Sequence, residues 1–146
     1  MAATLLDYKA SEPSNVQGGG VLPGGVVIPA TITAAPTVTV LADLGIFLTA
    51  GAPNRVELKA SIGVEGTVGI PQLSLIIQRD GVQILATQQG LESGFERFYT
   101  VDLEGVDFNV AAGFHTYTLS VSDLAAGTAA LVVGPVVFTG TAYSVS

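Results

Sequence analysis

The alternation of apolar and polar positions is clearest over residues 72–88, QLSLIIQRDGVQILATQ. Every second residue before the pair Asp80-Gly81 is apolar, and the alternation resumes after the pair. Successive side chains of a strand point to opposite faces of the sheet, so this period of two is typical of a half-buried strand. Asp-Gly readily adopts the positive φ angles of a two-residue hairpin turn. The segment therefore predicts an antiparallel β-hairpin.

Similar alternation recurs over most of the chain from residue 26 onward, and no window shows the 3.6-residue period of a helix. About eight to ten strands separated by turns predict an all-β fold, mostly antiparallel, either a two-sheet sandwich or a jelly roll. The other predicted strands span 26–33, 37–44, 46–49, 55–64, 95–103, 114–122, 128–133 and 136–145. The predicted core contains Val56, Leu58, Ala60, Ile62, Leu73, Leu75, Ile77, Tyr117, Leu119 and Val121.

The amino-terminal residues 1–25 have a different composition from the predicted β domain, 26–146. Leu5, Leu6 and Tyr8 form a short apolar patch, and a stretch rich in Gly, Pro and Ser follows it. One interpretation is a disordered tail. The other is an extended arm, in which the three apolar residues contact a neighbouring subunit by β-augmentation. A Gly-rich tether of about 15 residues spans up to ~50 Å, which is enough to reach that subunit.

The composition favours contact between copies and disfavours several other functions. Apolar residues make up 49% of the chain and charged residues only 12%, against about 25% in a typical domain. With so few charges to cover the surface, we expect other copies to cover part of it, and the apolar run 131–138 is one candidate contact. The net charge is −7 and the five basic residues are scattered, which argues against nucleic acid and anionic membranes as partners.

No group of residues forms a recognisable catalytic or cofactor site. The chain has no cysteine and one histidine, His115, so thiol chemistry and zinc sites of the usual type are excluded, and we predict neither enzymatic activity nor a cofactor. Glu92 and Glu96 could be a pair of glycosidase carboxylates, but surface charge is the simpler interpretation. Asp102, Glu104 and Asp107 raise the question of calcium, although their spacing matches no known calcium loop, and a solvated strand end is the simpler interpretation.

The predicted strands resemble those of spore-surface proteins of bacilli, the exosporium and endospore-appendage proteins. The likeness covers about residues 43–145 and is carried by NRVELKASIGV, RDGV, FYTVDLEGVD, AGFHTYTLSV and the apolar last strand with its Gly-Pro pair. The opening residues LDYKA are similar to the leader of such proteins. The resemblance implies a jelly roll like the trimeric heads of tumour necrosis factor and complement, and a structural, fibre-forming role. The collagen-like Gly-X-Y stalk of some relatives is absent.

Two hypotheses follow from the sequence. In the first, the chain is a structural protein of the spore surface, outside the cell, which forms a homotrimer and stacks head to tail through the amino-terminal arm. Its partners would be other copies and other spore-coat proteins. In the second it is a binding module, such as a phage fibre head or a carbohydrate-binding sandwich. The absence of Trp and the presence of only four Tyr weaken the carbohydrate alternative.

Overall fold

The computed structural model of the chain describes residues 3–145, and these contain strands and turns but no α-helix. No segment there could cross a membrane as a helix. The strands are β1 (Ala3–Ser14), β2 (Val21–Leu22), β3 (Val26–Val27), β4 (Ala30–Thr31), β5 (Thr39–Leu48), β6 (Asn54–Val68), β7 (Gln72–Arg79), β8 (Val82–Gly90), β9 (Phe98–Phe108), β10 (Gly113–Asp123) and β11 (Ala129–Val145).

Eight long strands form the two layers of an antiparallel β-sandwich. Sheet 1 has the order β1–β11–β6–β9, with the short β4 also paired to β11, and sheet 2 has the order β5–β10–β7–β8. Among these eight, consecutive strands lie in different sheets, except for the hairpin of β7 and β8. The predicted all-β sandwich is confirmed, and this strand order is consistent with a jelly roll.

The core lies between the two sheets and contains every residue that the alternation assigned to it. Each of the ten is at most 5% exposed, because the strands present alternate side chains to the opposite sheet. The predicted hairpin is also confirmed: β7 pairs with β8, and the turn residues Asp80 and Gly81 have φ angles of 50° and 84°. Both angles are positive, as the sequence pair predicted.

The structure differs from the predicted arm of residues 1–25, whose first two residues lie outside the described range. Residues 3–14 are not a separate arm. They form β1, which pairs antiparallel with β11 of the same chain, from Ala3 opposite Val145 to Ser14 opposite Val136. Backbone hydrogen bonding along β11 gives this polar segment a place in the sandwich that its own composition did not indicate.

Three other predicted features are corrected. The strands predicted at 37–44 and 46–49 are one strand, β5, which continues through Gly45. The strands predicted at 128–133 and 136–145 are also one strand, β11, with a register shift between Val132 and Val136. The apolar run 131–138 is therefore a central strand of sheet 1, with Val132, Val136 and Phe138 fully buried. Most of its apolar surface faces the chain's own core, so it offers little contact area to another copy.

Candidate functional site

The three residues predicted to contact a neighbouring subunit have different environments in β1. Leu5 lies opposite Tyr143, Tyr8 lies opposite Thr141, and the pairing shifts register between Leu5 and Asp7. Leu6 packs against the core, whereas the side chains of Leu5 and Tyr8 are 64% and 54% exposed. Two of the three are thus accessible to another molecule, and one stabilises the sandwich.

Asp7, between these residues, joins the edge of sheet 1 to the edge of sheet 2. Its Oδ2 accepts the backbone N–H of Phe47 in β5 at 2.9 Å, and its Oδ1 lies 2.8 Å from Nζ of Lys9. Partial burial raises the pKa of Asp7, but the hydrogen bonds from Lys9 and the backbone outweigh it and lower the pKa below its usual range. Asp7 therefore stays ionised near neutral pH and closes this side of the sandwich.

The strands end at two opposite poles of the sandwich. The hairpin end carries the turn at Asp80 and Gly81 together with the connections 49–53 and 109–112. The linker end carries the Gly-rich segment 15–25, the β8–β9 connection 91–97 and the β10–β11 turn 124–128.

Exposed large apolar side chains concentrate at these two ends. Apart from Tyr8 and Val106, all of those between residues 3 and 145 lie near one end or the other. Those at the hairpin end are Leu5, Phe47, Val82, Phe108 and Phe114. Those at the linker end are Val16, Val21, Val26, Val27, Val38, Val68, Ile70, Phe95, Phe98 and Leu124.

The Gly-rich segment at the linker end is fastened to the sandwich. The Ser14 hydroxyl donates to backbone carbonyls of the segment, at Val16 and Gly19. The N–H of Gly18 donates to the carbonyl of Val133 at 2.6 Å. The segment thus follows the surface of its own sandwich.

At the hairpin end, His115, for which the sequence indicated no role, takes part in a polar cluster. His115 Nδ1 lies 2.6 Å from Asp80 Oδ2, and His115 Nε2 lies 2.7 Å from the carbonyl oxygen of Ala111. The other carboxylate oxygen of Asp80 accepts the N–H of Thr116 at 2.9 Å. The cluster joins the β7–β8 turn to the start of β10, across 35 residues of sequence.

The acidic residues of β9 do not converge on one point. Asp102 and Glu104 are exposed and lie opposite Ser61 and Lys59 of β6. Asp107 faces the other way and is only 11% exposed. Glu92 and Glu96 are exposed in the 91–97 connection. Within residues 3–145, no three His, Asp or Glu side chains are grouped so that they could hold a metal ion.

Asp107 fixes β9 to sheet 2. Its Oδ2 lies 2.5 Å from Nη1 of Arg79 in β7 and accepts the hydroxyl of Tyr117 in β10 at 2.8 Å. Burial of the ring and this hydrogen bond raise the pKa of Tyr117 far above its usual value, so the hydroxyl remains a donor. The sequence carried a signal for this contact, because Asp107 has the same strand parity as the buried Val101 and Leu103.

Comparisons with known proteins find a match among solved structures alone. No protein-family profile and no curated protein matches the chain. Among solved structures it is similar to dimeric latent PorU from Porphyromonas gingivalis, with a TM-score of 0.45 and 9% identity. That match covers 95% of this chain but only 13% of the PorU chain.

Proposed function

We propose that this chain is a structural protein, a self-assembling subunit of a layer or fibre on the spore surface. In this proposal it is not an enzyme. It forms a homotrimer similar to tumour-necrosis-factor heads, and the trimers stack head to tail outside the cell, where they also contact other spore-coat proteins. The sequence resemblance to spore-surface proteins supports the location, and the β-sandwich and the low charge content support a packing role.

The observation that carries the proposal is the apolar character of the two ends. Soluble monomers expose single apolar side chains routinely, but clusters of them mark contact sites. Here ten exposed large apolar side chains lie near the linker end, among them Phe95, which is fully exposed, and Ile70, which is 67% exposed. A contact between unlike ends of identical chains does not close on itself unless its rotation closes a ring, and so it builds a filament.

The amino-terminal strand contributes to this contact in a way that differs from a free arm. β1 starts at the hairpin end, where the exposed Leu5 lies opposite Tyr143, three strands across sheet 1 from the exposed Phe108. In the stack, Leu5 and Tyr8 pack against the linker end of the next copy while β1 remains paired with β11. Burying one large apolar side chain stabilises by roughly 1.5–3 kcal/mol at best, and a trimer presents each contact three times.

The test uses three single variants, each of which adds one negative charge: one variant at each end and one on a sheet face. Leu5→Glu alters the hairpin end and Phe95→Glu the linker end. The matched control, Gln88→Glu, adds the same charge at an exposed position opposite Ser74 in sheet 2. Circular dichroism verifies folding, light scattering gives the subunit number, and negative-stain microscopy shows stacking.

We expect the wild type and the control to form filaments of trimers, and both end variants to remain short or unstacked. Because the contact is apolar, the wild-type assembly should survive about 1 M salt, where charges are screened within ~3 Å. A wild-type chain that is monomeric at micromolar concentration contradicts the proposal. So do end variants that stack as the control does. A monomer that binds immobilised glycans would instead favour the binding-module hypothesis.

A further inference from the structure

His115 is held between two groups that accept hydrogen bonds. The ring is 13% exposed, and its two nitrogens lie 2.6 Å from the Asp80 carboxylate and 2.7 Å from the Ala111 carbonyl oxygen. A neutral imidazole has one N–H donor and one lone pair, whereas the imidazolium has two donors. Since an ionised carboxylate and a carbonyl only accept, both contacts are satisfied only when His115 carries its second proton.

The groups that His115 joins come from three parts of the hairpin end. Asp80 is the first residue of the β7–β8 turn, and its N–H also donates to the carbonyl of Thr116 at 2.8 Å. Ala111 belongs to the connection between β9 and β10. Gly113, two residues after Ala111, starts β10, and β10 carries His115. The protonated ring therefore ties the turn and the connection to β10.

The surrounding charges favour the protonated ring on balance. Arg79, beside Asp80, opposes a second positive charge, but its guanidinium is paired with Asp107 of β9. Asp43 of β5 is bonded elsewhere, because its carboxylate accepts the hydroxyl of Thr118, three residues after His115 in β10. Burial lowers the pKa of His115, yet the hydrogen bonds to Asp80 and Ala111 and the charge of Asp80 outweigh burial and raise it above 6.5.

We propose that Asp80, His115 and Ala111 form a pH-sensitive clamp that keeps the hairpin end closed while His115 is protonated. When the ring loses its second proton, one nitrogen presents a lone pair to an acceptor, so one of the two contacts must break. β10 then loses its side-chain tie to the β7–β8 turn or to the 109–112 connection, while the backbone hydrogen bond from the Asp80 N–H to the Thr116 carbonyl remains. The clamp belongs to a single chain, and it does not depend on whether the chain assembles.

The pH range of the clamp follows from the two pKa shifts. The folded pKa of His115 is raised, so its contribution to stability is complete below pH 6.5 and is lost as the pH rises through the folded value. The hydrogen bond from His115 and that from the Thr116 N–H lower the pKa of Asp80 below 3.8. The contribution of Asp80 is therefore complete above pH 3.8 and is lost as the pH falls through its folded value. The clamp stabilises most between these two limits.

Nuclear magnetic resonance of the untagged protein tests the clamp directly, because His115 is the only histidine. We expect both ring nitrogens to be protonated well below pH 6.5, and the ring to lose its second proton with a midpoint above 6.5. Protection against hydrogen exchange, corrected for the intrinsic rate, should fall as the pH passes the midpoint, either at the Thr116 amide, which reports the turn, or at the Asn109 and Val110 amides, which report the 109–112 connection. If the midpoint lies one pH unit above the unfolded pKa of His115, the protection should fall about tenfold.

Two variants that each remove one negative charge separate the clamp from general electrostatics. Asp80→Asn keeps an acceptor and tolerates the positive φ angle of the turn, and should lower the His115 midpoint by about one unit. Asp43→Asn, on β5, should leave the midpoint close to that of the wild type. The proposal is overturned if wild-type His115 titrates at or below 6.5, if neither the Thr116 amide nor the Asn109 and Val110 amides change protection across the midpoint, or if the two variants shift the midpoint equally.

Discussion

The contact of Asp107 with Tyr117 and Arg79 predicts a coupled loss of stability. Tyr117 is completely buried, and its hydroxyl donates to a carboxylate that is 11% exposed. A hydrogen bond to a charged group contributes about 1.5–3 kcal/mol. Tyr117→Phe leaves almost no void, and Asp107 keeps its contact with Arg79. We therefore expect a loss in unfolding free energy near the lower limit, about 1.5 kcal/mol.

Replacing the carboxylate should cost more than replacing the hydroxyl. Asp107→Ala leaves the buried Tyr117 hydroxyl without its acceptor and Arg79 without its ion pair. Breaking a buried ion pair costs about 3–5 kcal/mol. Because the Arg79 side chain is 30% exposed and reaches water, we expect the lower figure, about 3 kcal/mol.

The double variant provides the decisive comparison. Once Tyr117 is Phe, Asp107→Ala no longer leaves a buried hydroxyl without a partner, so the double variant should lose less stability than the two single losses added together. We expect the difference to be about 1 kcal/mol, measured by urea unfolding with an unchanged m-value. Tyr143→Phe combined with Asp107→Ala is the control pair. The Tyr143 hydroxyl bonds Glu57 on the half-exposed outer face and not Asp107, so these two losses should add. Additivity within about 0.5 kcal/mol would refute the coupling.

Three further changes and one control test packing and hydrogen bonding, and all four are measured by thermal and urea unfolding. Leu75→Ala removes a side chain that is 1% exposed and should cost about 2–5 kcal/mol, whereas Val82→Ala, at an exposed position, should cost no more than about 0.5 kcal/mol. Gly105→Ala places a Cβ against the side chain of Leu85 and should cost about 1–3 kcal/mol, and an unchanged midpoint would contradict this packing. Asn54→Ala removes hydrogen bonds that join two connections at the hairpin end and should cost about 1–3 kcal/mol, with faster amide exchange there.

The features that the sequence predicted well are those determined by neighbouring residues. The β7–β8 hairpin depends on a two-residue turn and on alternation over 72–88, so local pattern was sufficient. The buried faces of β6, β7 and β10 followed from the same period of two. Strand ends were less accurate: β9 was predicted from residue 95, but it begins at Phe98.

The features that the sequence missed depend on residues far apart in the chain. Residues 3–14 contain charged residues and a proline, and they form a strand because β11 offers them a free edge more than 120 residues away. His115 and Asp80 are 35 residues apart, and only the pairing of β10 with β7 brings them together. A single sequence contains no signal for these pairings, so a strand with weak alternation appeared to be an arm.

The two sides of the sandwich differ from its ends in a way that bears on how copies would meet. Each edge strand of sheet 1 carries a carboxylate bonded to sheet 2: Asp7 of β1 bonds to β5, and Asp107 of β9 bonds to β7 and β10. Charges turned inward from edge strands oppose edge-to-edge pairing with another sheet, because that pairing would have to disturb them. Apolar side chains are instead exposed where the strands end. At the edges of sheet 1 this distribution disfavours lateral β-pairing. Contacts along the strand direction are the geometry that the proposed head-to-tail fibre requires.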